Sequence, residues 1–332
     1  MTVPARLQQA VLTCKSEINF VDGILIIDKP ADWTSHDVVA RVRRILHERR
    51  VGHTGTLDPF ATGVLVVLVG GATRLAQFLA GAEKEYEASV RFGYATDTGD
   101  LTGARRPAAD GASERCGAWS DGEIEAALAP LRGEREQVPP MYSAKKVQGR
   151  KLYELARRGV EVERQAVRVR IQLLEALRDG GALVRPNADG TCELRVRVVC
   201  SAGTYVRVLA EEIGAHLGTG AHLAALRRTR AGAFSLTDAV TLEQLSEMAE
   251  AGSVLSALRP LDAALPGLPS AHLTAADARR VRHGAAVQGG EAQWPDGALV
   301  RLYDEGGMLL AVGLYDAGRR ELRPRVMLAA EK

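Results

Sequence analysis

Residues 51–71 read VGHTGTLDPFATGVLVVLVGG and set one carboxylate, Asp58, in a loop of glycines, threonines and a proline just before an apolar run. Asp before Pro is a common turn former, and a bare LDP asks for nothing more. Here Gly52, Gly55 and Gly63 let the backbone pass close to a bulky neighbour, while His53 and the threonines add short polar groups. Such a loop suits a flat, polar ligand held against the carboxylate. Residues 64–69 read as a buried strand, so Asp58 is predicted to lie in a loop feeding a sheet.

Upstream, GILIIDKP (23–30) reads as a second buried strand ended by a proline turn. Thr34 and Asp37 have capping-box spacing before a helix with Val38, Val42 and Ile45 on one face. Downstream, GGATRLAQFLAG reads as a turn and a short helix. From Lys84 to Phe92, Tyr86, Ala88, Val90 and Phe92 alternate with Glu85, Glu87, Ser89 and Arg91, so Tyr86 is predicted to point inward. Residues 96–122, rich in Gly, Asp, Ala and Thr, read as an exposed excursion. DGEIEAALAPLRG and KLYELARRG read as helices and CELRVRVVC as a strand. SAGTYVRVLAEEIGAHLG reads as a Gly turn opening a helix with Leu209, Ile213 and Leu217 aligned. Three prolines near 260 mark a domain junction, and GALVRLYD, GMLLAVGLYD and ELRPRVML beyond it read as short strands.

The 332 residues suit about two domains, and 46% hydrophobic with 25% charged residues is the composition of a folded protein. The longest apolar run falls far short of the ~20 residues of a membrane span, and no leader pattern opens the chain, so a cytoplasmic protein is expected. Cys14, Cys116, Cys192 and Cys200 show no metal or disulfide spacing and are expected to be unpaired thiols. Net charge is only +2, but arginines cluster at 41–50, 227–230 and 319–325, with a Lys/Arg group at 145–158. One such cluster is an ordinary solvated helix face; four suggest a phosphate-binding track.

No Walker, dinucleotide, G-x-S-x-G or H-E-x-x-H motif occurs. The DTGD at 97–100 stands alone, whereas aspartic-protease chemistry needs two such carboxylates, and Ala108 occupies the twelfth position where a calcium loop needs Glu.

GHTGTLDPFATGVL resembles the catalytic motif of the TruB family of pseudouridine synthases, which act at uridine 55 in the T-loop of tRNA. GILIIDKPADWTSHDVV resembles that family's KP motif, and PPMYSAKKVQGRKLYELARRG the segment before its middle helix. CSAGTYVRVLAEEIG and GAHLAALRRTRAG resemble its two later motifs. The matches run from residue 23 to 232 in the family's order. The tail from about 260 resembles a PUA-type RNA-binding domain.

The resemblance implies an α/β (α+β) fold: a mixed, mostly antiparallel sheet with flanking helices, plus a small β-rich domain. It divides the chain into an arm at 1–22, a catalytic domain at 23–258 with an insertion at about 99–151, and a PUA-like domain at 260–332. It implies Asp58 as the nucleophile, attacking either ribose C1′ or the uracil ring. Tyr86 packs on the flipped base and is the candidate for taking the C5 proton, and Arg207 pairs with the nucleophile. Tyr205 and Leu226 wall the pocket, and His53 fills the space the flipped nucleotide leaves. Arg74, in a place where many relatives carry Lys, and Lys29 of the KP motif complete the substrate-side set, Lys29 more as support than as chemistry. Phe60 and Glu212 also depart from commoner family residues, Leu and Asp.

The chemistry breaks one bond, turns the base and makes one bond, so no cofactor and no metal are expected. Each residue taken singly has an ordinary reading: Tyr86 and Leu226 as core, Arg207 on a helix surface, His53 as a loop hydrogen-bonder. Their joint placement outweighs those readings. The implied partner is the T-stem-loop of tRNA, with no membrane, guide RNA or obligate protein partner and a monomeric state. A non-catalytic RNA-binding protein or tRNA-folding chaperone, and the guide-RNA-dependent relatives, are the alternatives. Intact Asp58, Tyr86 and Arg207 weigh against the first. The long MYSAKKVQGRKLYELARRG segment and short tail weigh against the second.

Overall fold

The computed structural model describes residues 22–106, 116–143, 145–147, 149–156, 158–178, 180–290 and 294–328. Of the arm at 1–22 only Asp22 is among them; its carboxylate accepts a hydrogen bond from Gly71 N at 2.6 Å. Part of the 101–122 excursion and Cys14 lie outside the described residues.

The first strand, β1 (Gly23–Lys29), leads through the turn at Asp32 into α1 (Ser35–Leu46). Thr34 and Asp37 close the predicted capping box, and Val38, Val39 and Val42 face inward. Then follow β2 (Val51–Thr54), β3 (Thr62–Val69) and β4 (Lys84–Phe92), the last alternating buried and half-buried positions as its sequence predicts, with Tyr86 inward. Beyond the excursion come α2 (Asp121–Leu128), β5 (Gly133–Gln137), β6 (Val167–Leu177), β7 (Cys192–Cys200) and α3 (Val206–His216). The fold closes with β8 (Ala221–Ala231), α4 (Leu242–Glu250) and the short β9 (Leu258–Arg259).

These strands form one sheet in the order β9-β1-β3-β8-β4-β7-β6-β5. Among the described residues every named pairing along that order is antiparallel except β3 with β8. At that parallel joint Gly63 faces Arg228, and a Cβ on Gly63 would lie 2.2 Å from the Arg228 carbonyl oxygen. Its φ of +100° likewise suits only glycine. The sheet is mixed and mostly antiparallel, as expected. A second sheet carries the C-terminal part: β10 (Ser270–His272), β11 (Val287–Gln288), β12 (Leu299–Tyr303), β13 (Leu309–Asp316) and β14 (Glu321–Met327), with α5 (Ala275–Arg282) packed on it.

Burial arranges the apolar residues in layers. The helices α2 and α3 cover one face of β4, β7 and β8 through Ile124, Leu128, Leu209 and Ile213. Next, α1 and α4 cover one face of β1 and β3. The other face of β1 and β3 meets Leu309, Val312, Val326 and Leu328 of the C-terminal sheet in one continuous cluster. Among the described residues no helix is long and apolar enough to cross a membrane.

The cysteine expectation is corrected. Cys116 and Cys192 are bonded to each other, with Cα atoms 5.7 Å apart and 76 residues of separation, whereas Cys200 is free and buried. The return of the excursion brings Cys116 beside the first residue of β7, a proximity that spacing does not encode. The 227–230 cluster is partly engaged within the protein: Arg227 pairs with Asp28 at 2.7 Å, Arg230 with Glu83 at 2.6 Å, and Arg228 is 1% exposed. Of the three, only Arg228 is turned wholly inward.

Candidate active site

The loop carrying Asp58 is fastened by buried polar side chains that grip its backbone on both sides. The Ser35 hydroxyl donates to Leu57 O (3.2 Å) and accepts from Leu57 N (2.9 Å). Lys29, fully buried, donates from Nζ to Pro59 O at 3.0 Å as well as to Pro30 O and Trp33 O. Arg228 donates to Gly55 O (2.9 Å) and Val64 O (2.7 Å). Residues 57 and 59 are thus pinned while Asp58 between them is left to face a cavity. Burial draws the Lys29 ammonium down to about 8, with Asp32 and Asp58 opposing the fall.

The cavity, of about 280 Å³, is lined by Asp58, Tyr86, Tyr205, Arg207 and Leu226 among others. Arg207, in the first turn of α3, places Nε 2.9 Å from Asp58 Oδ2 and Nη2 3.4 Å from Oδ1. The Nε contact is off the N–H axis and completes no hydrogen bond, so the attraction there is ionic. The guanidinium is held from behind: Nη1 donates to Thr98 O at 2.8 Å, Nη2 to Tyr142 O at 2.6 Å, and the Asp100 carboxylate lies 3.7 Å from Nη1. With side-chain exposures of 4% for Arg207 and 33% for Asp58, the cation is enclosed and the acid opens only toward the cavity.

That enclosure raises the Asp58 pKa, since protein replaces water on every side but one. Arg207 opposes the rise and Asp100 adds to it. Burial also raises the Tyr86 phenol, with the Arg228 guanidinium beside it pulling the other way. Tyr86 sits opposite Val198 on one side and Arg228 on the other, so two neighbouring strands fix it. Tyr205 is gripped by Gln137, whose amide accepts from Tyr205 N (2.7 Å) and donates to Tyr205 O (3.1 Å). Leu226 projects from β8 as a nearly buried apolar wall.

The fold therefore gathers five of the eight candidate residues around one cavity. The other three stand elsewhere. Lys29 lies under the loop and touches only carbonyls. His53, on β2, packs edge-on against His36 with ring centres 5.4 Å apart, and burial lowers its pKa to about 4, leaving a neutral ring. Arg74 is exposed and donates to Met327 O at 2.6 Å, tying the turn after β3 to the C-terminal sheet.

Residues the sequence did not single out also belong here. Thr98 and Asp100 sit in the excursion that reads as exposed, yet they back Arg207. Lys84 lines the cavity, lowered to about 8 by burial, and Ser143 lines the same wall. The only mark they leave in the sequence is the DTGD at 97–100, which fits neither of the motifs it imitates.

A profile of the TruB family pseudouridylate synthase N-terminal domain matches residues 43–206. Profiles of the tRNA pseudouridylate synthase B C-terminal domain and of the pseudouridine synthase II TruB C-terminal region match 207–266 and 269–328. The chain is 46% identical to the tRNA pseudouridine synthase B of Aromatoleum aromaticum over 93% of both chains. It is 47% identical to that of Geobacillus thermodenitrificans over 81% of this chain and 86% of the relative. Among solved structures, a chain of an H/ACA RNP bound to a substrate RNA containing 2′-deoxyuridine superposes with a TM-score of 0.66 at 25% identity, covering 92% of this chain and 85% of that one. A chain of the archaeal box H/ACA sRNP Nop10–Cbf5 complex gives 0.64 at 26% identity, covering 93% and 86%.

Proposed function

The chain belongs to the TruB family of pseudouridylate synthases, and we propose that it converts uridine 55 in the T-loop of tRNA to pseudouridine, acting as a monomer without a guide RNA. Relatives at 46–47% identity carry the name tRNA pseudouridine synthase B, whereas the ribonucleoprotein chains it superposes on share only 25–26%. The observation that carries the reading is the Asp58–Arg207 pair on the wall of a cavity that Tyr86 also lines.

In this reading the target uridine swings out of the RNA loop and its base enters the cavity. Unstacking costs a few kcal/mol, which stacking on Tyr86 and polar contacts to the base edge offset. The Asp58 carboxylate opens the bond between N1 and ribose C1′, by attack at C1′ or at the ring; both routes demand an ionised acid in a dry site. Arg207 supplies the charge that keeps it ionised. The freed uracil turns, C5 bonds to C1′, and the C5 proton leaves through Tyr86, whose phenolate Arg228 favours. N1 takes up a proton, so atoms balance with no outside reagent. Lys29, Ser35 and Arg228 hold the loop, and Arg74 holds the C-terminal sheet, which contributes RNA contacts as a PUA-like domain.

The test is tritium release from a C5-labelled T-stem-loop RNA. The wild type is expected to release label, and Asp58→Asn to lose about 10⁴-fold or more in rate while binding the RNA as before. Rapid release by Asp58→Asn would remove this residue from the mechanism.

A further inference from the structure

Ser143 carries a feature that the chemistry above leaves unused. It is 5% exposed and lines the cavity, where its Oγ meets the Tyr205 phenol but completes no hydrogen bond of good geometry. A buried hydroxyl so poorly satisfied is a net cost that alanine would avoid, and the pair keeps hydrogen-bonding capacity for a group supplied from the cavity side. Its neighbour there is the Tyr205 phenol, which burial keeps protonated and therefore able to donate. Two neutral hydroxyls thus share a wall of a cavity whose nucleophile and guanidinium are charged.

We propose that Ser143 Oγ, together with the Tyr205 hydroxyl, hydrogen-bonds the O2/N3–H/O4 edge of the flipped uracil and holds it through the rotation; this rests on the reading that the cavity takes the target uridine. Uracil presents acceptor, donor, acceptor along that edge, and a hydroxyl can both donate and accept. Exchanging N1 for C5 at the sugar is a half-turn of the ring about the line through N3 and C6. That half-turn swaps O2 with O4, both carbonyls, and maps the edge onto itself. Hydroxyls that satisfy the base before cleavage satisfy it again after rotation.

The backbone holds both hydroxyls in register with the reacting bond. Gln137 clamps the main chain of Tyr205, and Ser143 O accepts from Tyr153 N at 3.1 Å. The preceding carbonyl, Tyr142 O, anchors Arg207. The edge reader and the partner of the nucleophile are therefore consecutive links of one chain of contacts.

The experiment measures single-turnover rates on T-stem-loop RNAs carrying uridine, 2-thiouridine or 4-thiouridine at the target, with wild type, Ser143→Ala and Tyr205→Phe. Ser143→Ala is expected to slow uridine turnover roughly 10- to 100-fold, with RNA affinity within about twofold and an unchanged or higher thermal midpoint. Sulfur is a weaker acceptor, so each thio substitution is expected to slow the wild type about tenfold and Ser143→Ala less than about twofold. Tyr205→Phe is expected to blunt the thio effect in the same way. A Ser143→Ala enzyme with wild-type rates, or with the full thio penalty, overturns the proposal. A wild type inactive on the uridine RNA would instead overturn the reading beneath it.

Discussion

Because burial lifts the Asp58 pKa and Arg207 restrains it, the ionised fraction of the acid falls as pH drops through a value above the ordinary 3.8. Single-turnover rate is therefore expected to decline toward acid pH. In Arg207→Gln, already slower, the midpoint of that decline moves up; rapid-quench profiles from pH 5 to 8 measure it, and a midpoint that stays put contradicts the pairing. His53 acts on stability instead. Its folded pKa of about 4 lies below the unfolded 6.5, so between those values the unfolded chain binds a proton the folded one refuses. Stability accordingly rises with pH across that window. Unfolding free energies from urea titrations at pH 4.5 and 7 are expected to lie closer together in His53→Gln, by roughly 1–2 kcal/mol once partial exposure is discounted. An unchanged gap would mean the ring titrates freely.

The clamps on the Asp58 loop make the connection between β2 and β3 an element in its own right. Lys29→Met removes three donated hydrogen bonds from a buried site and is expected to cost about 2–4 kcal/mol in stability and to lower kcat more than RNA affinity. Chemical denaturation together with filter binding separates the two effects; a variant as stable and active as wild type would show the clamps idle. Sequence made the alternating β4 and the capped α1 legible because each carries its own period or cap. It did not reveal β8, whose AHLAALRRTRA lacks β-branched residues apart from one threonine and suggests no strand. Only its seat between β3 and β4, with Arg228 inward, makes it one. Val167–Leu177 went unread too. In the site, Asp58, Tyr86, Arg207, Tyr205 and Leu226 were legible through motif order. Thr98 and Tyr142 were not, since both serve through main-chain carbonyls, which leave no mark on residue type.

Over the whole molecule, one apolar cluster runs unbroken from β1 and β3 into the C-terminal sheet. One calorimetric transition is expected, and Leu309→Ala is expected to lower its midpoint as a unit at a cost of about 2–4 kcal/mol. Two separated transitions would show the parts to be independent. The Cys116–Cys192 bond adds a second constraint. Loop-closure entropy over 76 residues of separation is worth up to about 4 kcal/mol, so gentle reduction is expected to lower the unfolding midpoint. The bond also closes a covalent ring through α2, β5 and β6. A protease that clips an exposed tip within that ring leaves both fragments fastened together, so the severed polypeptide migrates as one species on a gel until a thiol reagent is added.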